Sequence, residues 1–136
     1  MSTSLPGQPP KAVVTTLRVE GFAALAASVI AYWFLGGNWW VFAALLLAPD
    51  LAFVAYRAGA RTGARVYNLA HNYAVPAVLG AVGGFGAMPL LVELALIWTA
   101  HIGADRALGY GLKYPGYDHQ THLGPIGKAR KLADAR

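Results

Sequence analysis

The sequence has no cysteine and little charge. The missing thiols exclude disulfide bonds, thiolate metal sites and cysteine nucleophiles. Asp, Glu, Lys and Arg make up only 12% of the residues, about half of what a soluble domain usually carries, whereas 57% are hydrophobic. A soluble chain of 136 residues is too short to bury so much apolar surface. The composition therefore favours a single domain that is surrounded by lipid.

Four long apolar runs divide the chain. Each has about 18–20 residues, which is the length that crosses ~30 Å of hydrocarbon as a helix. The runs cover about residues 17–35, 39–56, 64–82 and 89–108, with glycine-containing turns between them. We therefore predict an all-α fold, a four-helix transmembrane bundle over residues 17–108. A disordered N-terminal tail (1–16) precedes it, and an interfacial C-terminal segment (109–136) follows it.

The basic residues are unevenly distributed along the chain. All 11 lysines and arginines lie before or at the start of the first run, around the middle loop, or at and beyond the end of the fourth run. The positive-inside rule then places the N and C termini and the middle loop in the cytoplasm. Trp39 and Trp40 mark the opposite interface, where aromatic residues are enriched. The net charge of +5 is thus interpreted as an orientation signal, with no nucleic acid among the predicted partners.

Polar side chains interrupt the apolar runs at a common depth. Ionisable groups are costly in hydrocarbon and usually have a function there. A rise of ~1.5 Å per residue puts one set about 5–6 Å and a second set about 9–11 Å inside the cytoplasmic ends of the runs. The first set is Glu20, Asn68 and Asp105, and the second is Asp50, His71 and His101. All four runs therefore supply polar groups to one layer in the cytoplasmic half of the bilayer.

Four of these side chains are the predicted metal ligands: Asp50, His71, His101 and Asp105. His101 and Asp105 are four residues apart, so they share a helix face. Two imidazoles and two carboxylates suit a divalent ion such as Zn, Mn or Fe. Simpler interpretations stay open, because each acid could pair with a nearby arginine and a membrane histidine could merely join two helices by a hydrogen bond.

Further roles follow from proximity to this layer. The predicted catalytic residues are Glu20 as a general base, Asn68 as an orienting group and Arg106 as a phosphate-binding group. The predicted substrate-binding residues are Tyr67, Lys113 and His122. The C-terminal segment is rich in Gly, Pro and Tyr. It is interpreted either as a flap that brings His122 or Lys113 to the pocket, or as a membrane-surface segment held by Tyr rings and basic residues.

Several short motifs resemble one family of small bacterial integral membrane proteins. The motifs are "LLLAPDLA" (45–52), "YNLAHNYAVP" (67–76), "HIGADRALGYGLKYP" (101–115) and "HLGPIG" (122–127). The family is defined by a domain of unknown function, and the resemblance covers about residues 16–128. It implies a multi-pass four-helix protein of the bacterial plasma (inner) membrane, and it implies no activity. A looser likeness, in pattern only, is to small membrane-bound metal-dependent hydrolases.

Three functional classes are consistent with these features. The first is a metal-dependent hydrolase that acts on a lipid or lipid-phosphate substrate entering from the cytoplasmic leaflet. The second is a small proton-coupled transporter that uses Glu20, similar in outline to the small multidrug exporters. The third is a b-type haem carrier with His71 and His101 as axial ligands. Membrane lipids are the expected partners, and a homodimer is consistent with so thin a bundle.

Overall fold

The computed structural model describes residues 8–115 and 117–135, and most of them are helical, as the apolar runs predicted. The helices are α1 (Lys11–Phe34), α2 (Trp39–Leu45), a 3₁₀ helix (Ala48–Ala58), α3 (Ala60–Ala70), α4 (Ala74–Phe85), α5 (Pro89–Leu108) and α6 (Gly127–Asp134). The strands β1 (Lys113–Tyr114), β2 (Tyr117–Thr121) and β3 (Gly124–Pro125) form an antiparallel sheet in the order β1-β2-β3. This small sheet in the C-terminal segment was not predicted, because its strands are very short.

Helix α1 begins well before the first apolar run. It starts at Lys11, after Pro10, and the hydroxyl of Thr16 donates to the carbonyl of Ala12 at 3.0 Å within its first turns. The predicted disorder of residues 1–16 is therefore wrong for residues 11–16, while residues 1–7 lie outside the described residues. The prediction followed hydropathy, which marks the part of a helix that suits hydrocarbon and not the whole helix.

The second predicted helix changes its geometry at Pro49. Helix α2 ends at Leu45, and the 3₁₀ helix that follows carries Pro49 in its first turn. The N–H of Asp50 donates to the carbonyl of Leu47 at 3.1 Å, one residue nearer than in an α-helix. Because proline has no N–H, the carbonyl of Leu46 lacks both of its usual backbone donors and can accept from a side chain.

The third predicted helix is two helices, α3 and α4, joined at residues 71–73. The side chain of Asn72 closes the break: its Nδ2 donates to the carbonyl of Asn68 at 2.9 Å, and its Oδ1 accepts from the N–H of Ala74 at 3.0 Å. Pro76 lies in the first turn of α4, where its missing N–H costs little. The break leaves His71 at the end of α3, with its side chain buried inside the protein.

Helix α5 is the centre of the fold. It packs against α1 on one side and α4 on another, while α3 packs against the 3₁₀ helix. The crossing of α1 and α5 is very close, because a Cβ built on Gly103 would lie 2.7 Å from the carbonyl oxygen of Gly21 and 2.7 Å from the nitrogen of Leu25. Glycines at such a crossing let two membrane helices pack backbone against backbone.

The outer surface of these helices is strongly apolar. Phe34 is 80% exposed, Trp40 85% and Phe85 96%. Residues 11–34 and 39–58 are each long and apolar enough to span a membrane, and only 11% and 6% of these two spans are buried in the protein. A core helix of a soluble protein would be mostly buried. The exposure therefore supports an association with the membrane through these two helical segments.

The glycine crossing can be tested by substitution. Gly103→Ala should lower the free energy of unfolding in detergent by about 1–3 kcal/mol, because the added methyl group has no space between the two backbones. The matched control is Gly84→Ala on α4, where nothing lies within 4 Å of the added Cβ. The control should leave stability unchanged or raise it by about 0.5–1 kcal/mol. Equal thermal unfolding midpoints for the two variants would contradict the close crossing.

Candidate metal centre

The four predicted ligands lie together in the structure. Asp50 comes from the 3₁₀ helix, His71 from the break between α3 and α4, and His101 and Asp105 from successive turns of α5. Each offers one nitrogen or oxygen atom, and these four atoms all lie within 4.8 Å of one another. We refer to these four side chains as the His–Asp cluster.

The distances in the His–Asp cluster match those expected around one metal ion. The Nε2 atoms of His71 and His101 are 3.1 Å apart. The distances from these nitrogens to Asp50 Oδ1 and Asp105 Oδ2 are between 3.2 and 3.6 Å. Four ligands arranged tetrahedrally at 2.0–2.1 Å from zinc would be about 3.3–3.4 Å from one another. These five distances are close to those of a tetrahedral N₂O₂ site, and all four atoms lie within 4.8 Å of one another.

Backbone carbonyls orient both imidazole rings. His71 Nδ1 lies 2.8 Å from the carbonyl oxygen of Tyr67, and because a carbonyl only accepts, Nδ1 must carry a proton and donate. The ring of His101 has the carbonyl of Leu46 as a partner, the same carbonyl that the 3₁₀ geometry releases. The Nε2 atom of each ring is therefore directed into the cluster. Protein histidines that bind metals usually have such a partner on their second nitrogen.

Positive charge within the cluster would stabilise it. Two nitrogen lone pairs and two carboxylates at these distances repel one another unless positive charge lies among them. A divalent metal ion supplies that charge, and so do protons on the two Nε2 atoms. His71 and His101 are buried, whereas the side chain of Asp105 is 20% exposed and that of Asp50 38%. The cluster is therefore most open on the side of Asp50.

Comparison with known proteins shows the family of the chain. A family model described as a domain of unknown function, DUF4260, matches residues 14–126. The chain belongs to this family. The match covers most of the chain, including all four cluster residues, and agrees with the resemblance that the motifs predicted. No curated protein and no solved structure matches the chain.

Tyr67 and Lys113 of this DUF4260 protein contact the cluster indirectly. The ring of Tyr67 stacks on that of His71, with centroids 3.8 Å apart and an interplanar angle of 11°. The Nζ atom of Lys113 lies 4.6 Å from the centroid of the Tyr67 ring, 4.3 Å from that of Phe53 and 5.2 Å from that of Tyr56. Lys113 is buried. These two predicted substrate-binding residues thus join the C-terminal sheet to the cluster by a cation–π contact and a ring stack.

Asn68 and Arg106, which were predicted to be catalytic, bind backbone groups. The amide of Asn68 donates to the carbonyl of Lys113 at 2.8 Å and accepts from its N–H at 2.7 Å. Buried Arg106 donates to the carbonyl of His71 at 2.8 Å and to that of Tyr110 at 3.1 Å. Asn68 therefore fixes β1 against α3, and Arg106 binds the carbonyl that the α3–α4 break exposes. Both act as positioning residues in this geometry.

Glu20 and the two C-terminal histidines lie apart from the cluster. Glu20 is exposed on α1, and it is not one of the four converging residues. His122 Nδ1 accepts from the N–H of Leu112 at 2.9 Å, and burial, with a smaller effect of Arg106, lowers the pKa of His122. A neutral His122 therefore serves the fold of the sheet. His119 is exposed, whereas His122 is half-buried, so these two histidines do not converge on one point.

Some residues around the cluster were not foreseen from the sequence. The indole N–H of Trp98 donates to the carbonyl of Ala70 at 2.6 Å, which binds another backbone acceptor at the end of α3. Phe53 and Tyr56 form the ring pair that holds Lys113. Their spacing of three residues on a helical segment was the available signal. It indicates a shared face, but it does not identify the cation that the face contacts.

The contact of Lys113 with the three rings can be tested by a substitution that removes the positive charge. Lys113→Met should release the C-terminal sheet, because a desolvated cation–π contact contributes about 1–2 kcal/mol, or about tenfold in the opening equilibrium. Hydrogen exchange of the His122 amide, which donates to the carbonyl of Leu112, measures this opening. Lys113→Arg keeps the cation and should retain most of the protection. Equally slow exchange in Lys113→Met would rule out a stabilising role for the charge.

Proposed function

We propose that this protein is an integral membrane metalloprotein in which Asp50, His71, His101 and Asp105 bind one divalent ion. The observation that carries the proposal is the convergence of the four ligand atoms within 4.8 Å, with nitrogen–nitrogen and nitrogen–oxygen distances close to those around one tetrahedral ion. The orientation of both Nε2 atoms by backbone carbonyls adds support. Two carboxylates and a divalent cation also give a site of zero net charge, which limits the cost of burying it.

The proposed topology has four membrane spans. They are α1, α2 with the 3₁₀ helix, α3 with α4, and α5, and both termini lie in the cytoplasm of a bacterium. The distribution of the basic residues supports this orientation in the plasma membrane. The interruption between α3 and α4 is compatible with hydrocarbon, because the side chains of Asn72, Trp98 and Arg106 bind backbone carbonyls there.

The proposed activity is metal-dependent hydrolysis of a lipid or lipid-phosphate. A bound divalent ion lowers the pKa of a coordinated water and makes it a nucleophile near neutral pH. With four protein ligands, a water would have to join the ion as a fifth ligand, and the exposed side of Asp50 is where it would have room to do so. Because the cluster would lie in the cytoplasmic half of the bilayer, a substrate can enter sideways from the inner leaflet. Glu20 as the base stays a prediction, since it lies on the exposed side of α1.

The two other functional classes have less support. A haem would have to lie between His71 and His101, but their Nε2 atoms are only 3.1 Å apart, and two carboxylates approach them from the sides. A proton-coupled carrier would use Glu20 in an internal site, whereas Glu20 is exposed in this structure. The geometry therefore favours a small ion over a macrocycle, and the His–Asp cluster over Glu20.

Elemental analysis of the detergent-purified protein tests the metal site. We expect near-stoichiometric Zn, Mn or Fe in the wild type and only background metal in His71→Ala and in His101→Ala, because each variant removes one of two nitrogen ligands. His119→Ala is the matched control, since His119 is exposed and lies outside the cluster. A wild type without metal, or ligand variants that keep it while they remain folded, would refute the proposal.

The proposed topology can be tested with single cysteines, because the natural chain has none. In intact cells, Phe85→Cys should react with a membrane-impermeant thiol reagent, since residue 85 is exposed at the outer end of α4. Arg61→Cys, in the middle loop region, should react only after the cells are permeabilised. The reverse pattern would show the opposite orientation, and labelling of both positions in intact cells would exclude the positive-inside topology.

A further inference from the structure

A groove of about 360 Å³ lies directly beside the His–Asp cluster. One wall is the segment of α2 and the 3₁₀ helix, with Leu45, Ala48 and Ala52, and the other wall is formed by α4 and α5, with Leu79, Leu94 and Ile97. The lining is almost entirely apolar. Pro49, next to the ligand Asp50, and Ala70, next to the ligand His71, also line it, so the groove and the cluster adjoin each other.

The arrangement of the helices explains this space. The 3₁₀ helix packs mainly on α3, and α4 packs mainly on α5, so the two walls belong to different helix pairs. The walls meet at the cluster, where Asp50 of one wall lies 3.3 Å from His101 of the other. Away from the cluster the wall residues Ala48 and Ala52 are small, and the groove stays open between the pairs.

Along the membrane normal, the cluster and the groove lie in the same order as the polar group and the hydrocarbon chains of a lipid. In the proposed topology, Leu45 lies five residues outward of Asp50, and Leu94 lies seven residues outward of His101. At 1.5 Å per residue, the groove extends about 7–10 Å from the cluster toward the bilayer midplane. A lipid of the inner leaflet has the same order, with its polar group toward the cytoplasm and its chains toward the midplane.

We propose that this groove binds one hydrocarbon chain of an inner-leaflet lipid and holds the polar end of that lipid at the His–Asp cluster. The inference rests on the proposed function and names its substrate class as a chain-bearing lipid. An uncharged apolar chain matches a groove in which the one polar side-chain group of the lining, the indole N–H of Trp98, already donates to the carbonyl of Ala70. A helix of a partner protein, about 10–12 Å across with its side chains, is too wide for this volume.

Trp98 provides a direct reporter, since it lines the groove. A variant with Trp33, Trp39 and Trp40 changed to Phe leaves Trp98 as the single tryptophan, and these three side chains are exposed. The purified variant in detergent is titrated with a phospholipid that carries bromine atoms on its chain, which quench nearby tryptophan fluorescence. We expect quenching that saturates at low molar ratios of lipid to protein and reverses with excess unbrominated lipid.

Two variants in the same single-tryptophan background distinguish the groove from the general lipid surface. Ala52→Phe fills the groove and should abolish the saturable quenching, while Val54→Phe, at an exposed position of the same helix, should leave it intact. Quenching that rises linearly with lipid, or is equal in both variants, would overturn the proposal. Metal content is measured on the same samples, so that a protein that quenches but holds no metal refutes the metal site and keeps the groove.

Discussion

His71 and His101 face each other inside the protein with two carboxylates beside them, and this arrangement dominates the structure. Their Nε2 atoms are 3.1 Å apart, so the local charge balance depends on a cation or on shared protons. The 3₁₀ helix presents Asp50 at this point, and successive turns of α5 present His101 and Asp105. Helix α5 is also the helix that packs against α1 and α4, so two of the four cluster residues lie on the central helix of the fold.

Interrupted helices are what bring the ligands together. In a continuous third helix, the carbonyl groups near His71 would accept helical backbone hydrogen bonds. Because the helix breaks at residues 71–73, they accept hydrogen bonds from the side chains of Trp98 and Arg106 instead. The 3₁₀ helix likewise gives the carbonyl of Leu46 to His101. Polar backbone at membrane depth is tolerated only where such partners exist. The same side chains thus satisfy the backbone and orient the ligands.

The helical character and the four cluster residues could be predicted from the sequence, because hydropathy and helical spacing are local properties. Asp50, His71, His101 and Asp105 were predicted to lie at nearly one depth, and they converge in the structure. The roles of Lys113 and Arg106 could not be predicted in this way. A buried cation that contacts rings or carbonyls has the same sequence signature as a phosphate-binding cation, since only the fold decides which acceptor it reaches.

The attachment of the C-terminal sheet has a consequence for biosynthesis. His71 is supported by Tyr67, Tyr67 by the Lys113 side chain, and the backbone of Lys113 by Asn68, so a residue beyond α5 supports a cluster residue at the end of α3. The ribosome makes Lys113 after all four cluster residues. The acids and imidazoles of the cluster are therefore synthesised before the segment that supports His71, and the cluster is complete only when that segment has docked on α3.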